Sequence, residues 1–140
     1  LPISNGLESG AFLKTRPELD TPDIQLHFIP ALMVNHAHDK LDEFGYTIHV
    51  CQLRPESKGF IALKSLDPTA HALIQPNYLD AEKDRIVMRD AVRIGRDIAN
   101  QPALAQYKAR EINPGDDVQT DDEIDNFIRT KGETIYHPCP

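Results

Sequence analysis

Tyr46-Thr-Ile-His-Val-Cys-Gln-Leu53 is the stretch whose reading decides the fold. It is rich in β-branched residues, and it alternates. Tyr46, Ile48 and Val50 fall on one side; Thr47, His49 and Cys51 fall on the other. A period of two marks a half-buried strand, because successive side chains leave a pleated backbone on opposite faces. Arg54-Pro-Glu-Ser-Lys-Gly59 follows as a polar turn, and Phe60-Ile-Ala-Leu-Lys-Ser65 returns as a second apolar run. Strand, short glycine-containing turn and strand read together as a β-hairpin.

Upstream, Asp23-Ile-Gln-Leu-His-Phe28 alternates in the same way, with Ile24, Leu26 and Phe28 opposite Asp23, Gln25 and His27. Gly10-Ala-Phe-Leu-Lys14 reads as a short strand after a polar opening loop, and His71-Ala-Leu-Ile-Gln75 as another before Pro76. Downstream the period changes. Val87, Ala91, Ile94 and Ile98 recur in steps of four, three and four, which predicts an amphipathic helix over 81–100 with Asp80 as its N-cap. Its arginines alternate with acids and read as a solvated face. A short helical turn is expected after Pro102. Thr120-Asp-Asp-Glu123 has the form of a capping box, and Ile124, Phe127 and Ile128 supply a buried stripe that Gly132 ends. Strands followed by helices give an α+β class: an antiparallel sheet of about five strands with helices packed on one face. No linker or repeat divides the chain, so residues 1–140 are expected to form one domain.

Composition narrows the function. The net charge of −7 argues against a nucleic-acid partner, because phosphate binding wants a basic face. No apolar run approaches the ~18 residues that span a membrane. The opening residues lack the positive start and apolar core of a signal peptide. Two cysteines, Cys51 and Cys139, are too few for a disulfide scaffold, and no CxxC pair suggests zinc. A reducing compartment is expected: the cytoplasm, or the periphery of the inner membrane. Cys51 reads as a small core hydrophobe.

Few motifs carry chemistry. No GxGxxG, GxxxxGK[ST], HExxH or Gly-x-Ser-x-Gly occurs. His36, His38 and Asp39 supply metal-ligand types, but no recognisable spacing adds a further ligand, and a solvated loop explains them better. The acids from Asp116 to Asp125 lack EF-hand spacing and fit helix capping. His49 shares its side with Thr47 and Cys51; a hydrogen-bonded structural histidine is the simpler reading, a cavity-lining one the sharper. That leaves His137 in Tyr136-His-Pro138, with no second catalytic group placed near it by spacing.

Several blocks, in order, resemble the substrate-binding part of the glucose–methanol–choline (GMC) oxidoreductases, a flavin-dependent family. They are Ser4-Asn-Gly-Leu-Glu-Ser-Gly-Ala-Phe12, Pro22-Asp-Ile-Gln-Leu-His-Phe28, His49-Val-Cys-Gln-Leu-Arg-Pro-Glu-Ser-Lys-Gly59, Ser65-Leu-Asp-Pro68, Ile74-Gln-Pro-Asn-Tyr-Leu79, Pro114-Gly115 and Tyr136-His-Pro138. The resemblance implies an FAD-dependent parent enzyme acting on CH–OH donors, alcohol- or choline-dehydrogenase-like, with a small-molecule alcohol as substrate. It implies that His137 is the active-site base beside the flavin, a role that suits imidazole near neutral pH. After the His-Pro pair the family runs on to glycine, whereas Cys139 and Pro140 follow here. The family's FAD-binding Rossmann part and its second active-site His or Asn fall outside residues 1–140. The chain is therefore expected to be an inactive, colourless piece whose partner is the rest of its parent. The competing expectation is a non-catalytic α+β module that binds a ligand or a protein.

Overall fold

The computed structural model describes residues 6–34 and 41–137. The expected loop ligands His36, His38 and Asp39, and Cys139, lie outside the described residues. Five strands and three helices are described: β1 (Ser9–Leu13), β2 (Ile24–Ile29), β3 (Thr47–Gln52), β4 (Phe60–Ala62), β5 (Leu73–Gln75), α1 (Glu82–Ala99), α2 (Pro102–Ala105) and α3 (Asp121–Lys131). All pairing is antiparallel, and the class is α+β.

The strands fall into two sheets. β1, β2 and β3 form one in chain order, while β4 and β5 pair apart from it. The hairpin expected between β3 and β4 is therefore replaced by two others, β2 with β3 and β4 with β5. Asp84, in the first turn of α1, gives the reason. Its carboxylate accepts the backbone N–H of Glu56 at 2.9 Å and that of Ser57 at 2.8 Å, together with Gln52 Nε2 at 2.8 Å and the Ser57 hydroxyl. Residues 54–59 are clasped to the helix instead of turning β3 back on itself.

Alternation in β2 and β3 sends one side of each strand to α1. Ile24 and Leu26 pack with Val87 and Ala91, and Leu13, Ile48, Val50, Ile94 and Ile98 surround them. Burying each such aliphatic side chain is worth about 1.5–3 kcal/mol. The opposite side of α1 meets α3, where Val92, Ile124 and Ile128 pack with Met88, Val118 and Phe127. The order is thus sheet, α1, α3.

The start of α1 departs from expectation. Its N-cap is Ala81, with no side-chain cap, rather than Asp80. The Ala81 N–H donates to Ser57 Oγ at 2.9 Å, and the Arg85 guanidinium donates to the Leu79 and Asp80 carbonyls. Loop 54–59 supplies what an N-cap side chain would have supplied. At α3 the capping box forms as read. Glu123 N–H donates to Thr120 Oγ1 at 3.3 Å, and Glu123 Oε2 accepts the Thr120 N–H at 2.9 Å. Gly132 closes the helix, its N–H on the Ile128 carbonyl at 2.7 Å. The α1 arginines are not a purely solvated face. Arg96 holds both Glu111 oxygens, at 3.0 and 3.1 Å, and the Gly115 carbonyl, while Arg89 reaches Asp121 and Asp125. They fasten the segment leading into α3 onto α1.

Candidate active site

The side of the three-stranded sheet turned away from α1 carries His27, His49 and Cys51. In register across β2 and β3, Gln25 faces Cys51, His27 faces His49 and Ile29 faces Thr47. These are the residues that alternate with the core-forming Leu26, Ile48 and Val50. On β1, Gly10 stands opposite His27. A Cβ at Gly10 would lie 2.8 Å from the Leu26 carbonyl oxygen, so the close strand approach beside His27 requires glycine. Thr47 Oγ1 donates to the Ala31 carbonyl at 2.8 Å and accepts the Met33 N–H at 2.9 Å, which ties residues 31–33 to this end of the sheet.

Beyond α3 the chain reaches this same sheet. Tyr136 has a left-handed backbone, φ 58°, a conformation that costs a non-glycine residue about 1 kcal/mol or more. Its N–H donates to Thr134 Oγ1 at 3.1 Å. The turn sets the His137 ring against that of His27, with centroids 6.2 Å apart and planes inclined at 58°. A second imidazole thus stands beside His137, which sequence spacing had left alone. His27 Nδ1 is buried and has no hydrogen-bond partner. Leaving a polar atom so costs about 1–3 kcal/mol.

His27 went unassigned in the sequence because one alternating polar position looks like any other. The signal that exposes it is register: β2 pairs with β3 so that His27 and His49 are direct neighbours. The thiol of Cys51 lies in the same row. Burial pushes its pKa up, against a smaller lowering by the Gln25 backbone N–H, so it is a neutral thiol rather than a nucleophile. Among the described residues no group of three or more His, Cys, Asp or Glu could hold a metal ion.

The aromatic residues gather elsewhere. The Phe28 and Tyr46 rings lie 5.4 Å apart and, with Pro30, Phe44, Leu104 and Tyr107, line a shallow hollow of about 380 Å³. Phe28 alternates with His27, and the Tyr46 hydroxyl reaches the Ala99 carbonyl of α1. The hollow therefore lies on the helix side of the sheet, away from the histidines.

Among the described residues no glycine-rich turn leads from a strand into a helix, the arrangement that cradles a pyrophosphate. The face away from α1 offers imidazole side chains, His27 and His49, side by side.

Residues 55–140 match the model of the family described as GMC oxidoreductase, in its C-terminal part. The chain is 45% identical over 136 residues to the oxygen-dependent choline dehydrogenase of Klebsiella pneumoniae (strain 342), covering 97% of this chain and 24% of that protein. It is 43% identical, over the same shares, to the oxygen-dependent choline dehydrogenase of Escherichia coli O139:H28 (strain E24377A / ETEC). The chain spans about a quarter of the length of these curated relatives. The crystal structure of pyridoxine 4-oxidase from Mesorbium loti shares the fold. Its TM-score is 0.76 at 24% identity, over 90% of this chain and 25% of that one. The chain belongs to the GMC oxidoreductase family.

Proposed function

We propose that residues 1–140 are one substrate-side domain of an FAD-dependent oxidoreductase acting on CH–OH donors, with His137 as the base. The observation that carries the reading is the pairing of His137 with His27 on the sheet face turned away from α1. The choline dehydrogenases to which the chain is similar make a small alcohol of the choline type the first substrate to try.

FAD, when bound, supplies the acceptor for the hydride that leaves the carbinol carbon. The chain's own residues handle the other half of the oxidation. An imidazole nitrogen of His137 takes the proton of the substrate hydroxyl, which weakens the adjacent C–H bond toward hydride loss. His27, whose ring stands against that of His137, holds that imidazole in place over the sheet. The 140-residue chain by itself is inactive and colourless under this reading, and the parent works in the cytoplasm or at the inner-membrane periphery.

The test is His137→Ala in the full-length parent, assayed on a panel of alcohols that includes choline. The expected result is a loss of about 10²–10⁴-fold in kcat with flavin retained. Turnover of no alcohol by the wild-type parent, or undiminished turnover by the variant, overturns the proposal. Fractionation of the parent's native cells checks the compartment.

A further inference from the structure

We infer that His49 is a positioning residue for the proposed base: acting through His27, it holds the His137 imidazole in place beside the sheet. The inference rests on the reading of His137 given above. On the side of the sheet turned away from α1, β1 places Gly10 and Phe12, β2 places Gln25, His27 and Ile29, and β3 places Thr47, His49 and Cys51. The row that crosses all three strands at His27 therefore runs Gly10, His27, His49.

Direct cross-strand neighbours hold their Cβ atoms about 4.5–5.5 Å apart, close enough for two imidazoles to touch. Gly10 brings no side chain to the row. None can be added there, because a Cβ would lie 2.8 Å from the Leu26 carbonyl oxygen. His27 is thus flanked in its row by one side chain, that of His49. Diagonal neighbours lie farther off, about 7–8 Å. Of the two on β3, Thr47 is engaged by the Ala31 carbonyl and the Met33 N–H.

His27 in turn stands against the base, its ring centroid 6.2 Å from that of His137. The last side-chain torsion of a histidine is broad, so a ring's tilt needs something to fix it. At Nδ1 of His27 no hydrogen bond does so. The tilt then falls to the side chains alongside: His49 in the row and His137 above it. A His27 ring free to turn would leave His137 without a fixed neighbour. Beyond the structural and cavity-lining readings that sequence allowed, register gives His49 a part in placing the base.

A double-mutant cycle in the full-length parent, on an alcohol it oxidises, tests this. His49→Ala is expected to lower kcat about tenfold or more, with KM unchanged and flavin retained. In a His27→Ala background the same change is expected to cost nothing further. His49→Gln carries the same cycle should His49→Ala fail to fold. Undiminished kcat in the single variant, or an equal loss with and without His27, overturns the inference. A second readout needs no turnover. The imidazole resonances of His137 in the flavin-loaded parent, assigned from their loss in His137→Ala, are expected to shift in His49→Ala as they do in His27→Ala. Resonances that stay in place overturn the inference as well. Turnover that survives His137→Ala sinks the functional reading instead, so the two failures are distinguishable.

Discussion

The Asp84 carboxylate grips Ser57 twice, through its backbone N–H at 2.8 Å and through its hydroxyl. Asp84 is 1% exposed, and both its oxygens are fully used. One side chain thereby fixes where β3 ends, how residues 54–59 run and where α1 begins. Asp84→Asn puts an amide N–H₂ where N–H donors already point. The expected loss is about 3 kcal/mol of stability, read from thermal unfolding. An unchanged midpoint would show the clasp to be incidental.

The same carboxylate sets a pH response. Burial by itself raises its pKa, but the hydrogen bonds from Ser57, Glu56 and Gln52 together hold it below the ordinary carboxylate value. The native state therefore gives up this proton more readily than the unfolded chain does. The resulting stability is complete above the unfolded value, about 3.9, and is lost as pH falls through the lower native value. Stability of Asp84→Asn should fall less steeply than wild type below about pH 4. The neighbouring Lys83–Glu56 pair is exposed and adds little. Parallel acid-denaturation curves for the two proteins would refute this.

Gly95 lies in the middle of α1, facing the sheet. A Cβ there would stand 3.5 Å from Val50 Cγ1 and 4.0 Å from Ile48 Cγ2, ordinary van der Waals contact. Glycine inside a helix costs up to about 1 kcal/mol relative to alanine. Gly95→Ala should raise stability by about 0.5–1 kcal/mol, checked by denaturant unfolding. Destabilisation would mean that the helix sits closer to β3 than these distances state.

Two substitutions on α3 separate packing from capping. Ile124 is fully buried between α1 and α3, so Ile124→Ala should cost about 3–4 kcal/mol. Thr120→Ala removes only the cap on the Glu123 N–H and should cost about 1 kcal/mol. Equal losses in chemical denaturation would contradict the assignment of α3 to the core.

In the full-length parent, His27→Ala should lower turnover, because it removes the ring against which the proposed base His137 is set. His27→Asn should recover part of the loss, since its amide places a polar atom near the same position. Steady-state kinetics on both variants decide this. Wild-type kcat and KM in His27→Ala would sever His27 from the site.

Local pattern was enough for the elements. Alternation in residues 23–28 and 46–53 placed β2 and β3. The spacing of Val87, Ala91, Ile94 and Ile98 placed α1, and Thr120 with Glu123 marked the start of α3. The block order, ending at Tyr136 and His137, pointed to the family. Each of these is a property of neighbours along the chain, where side-chain period and capping chemistry act. Partners of strands are not such a property. Nothing local says that Asp84, far along the chain, captures the N–H groups of Glu56 and Ser57, so the β3–β4 hairpin was expected and β4 pairs with β5 instead. The site divides in the same way. His137 was singled out by the block it shares with the family. That His27 stands beside it follows only from the course of the chain beyond α3 and the left-handed turn at Tyr136. Strand register and chain reversal bring distant residues together, and composition and period carry no record of that distance.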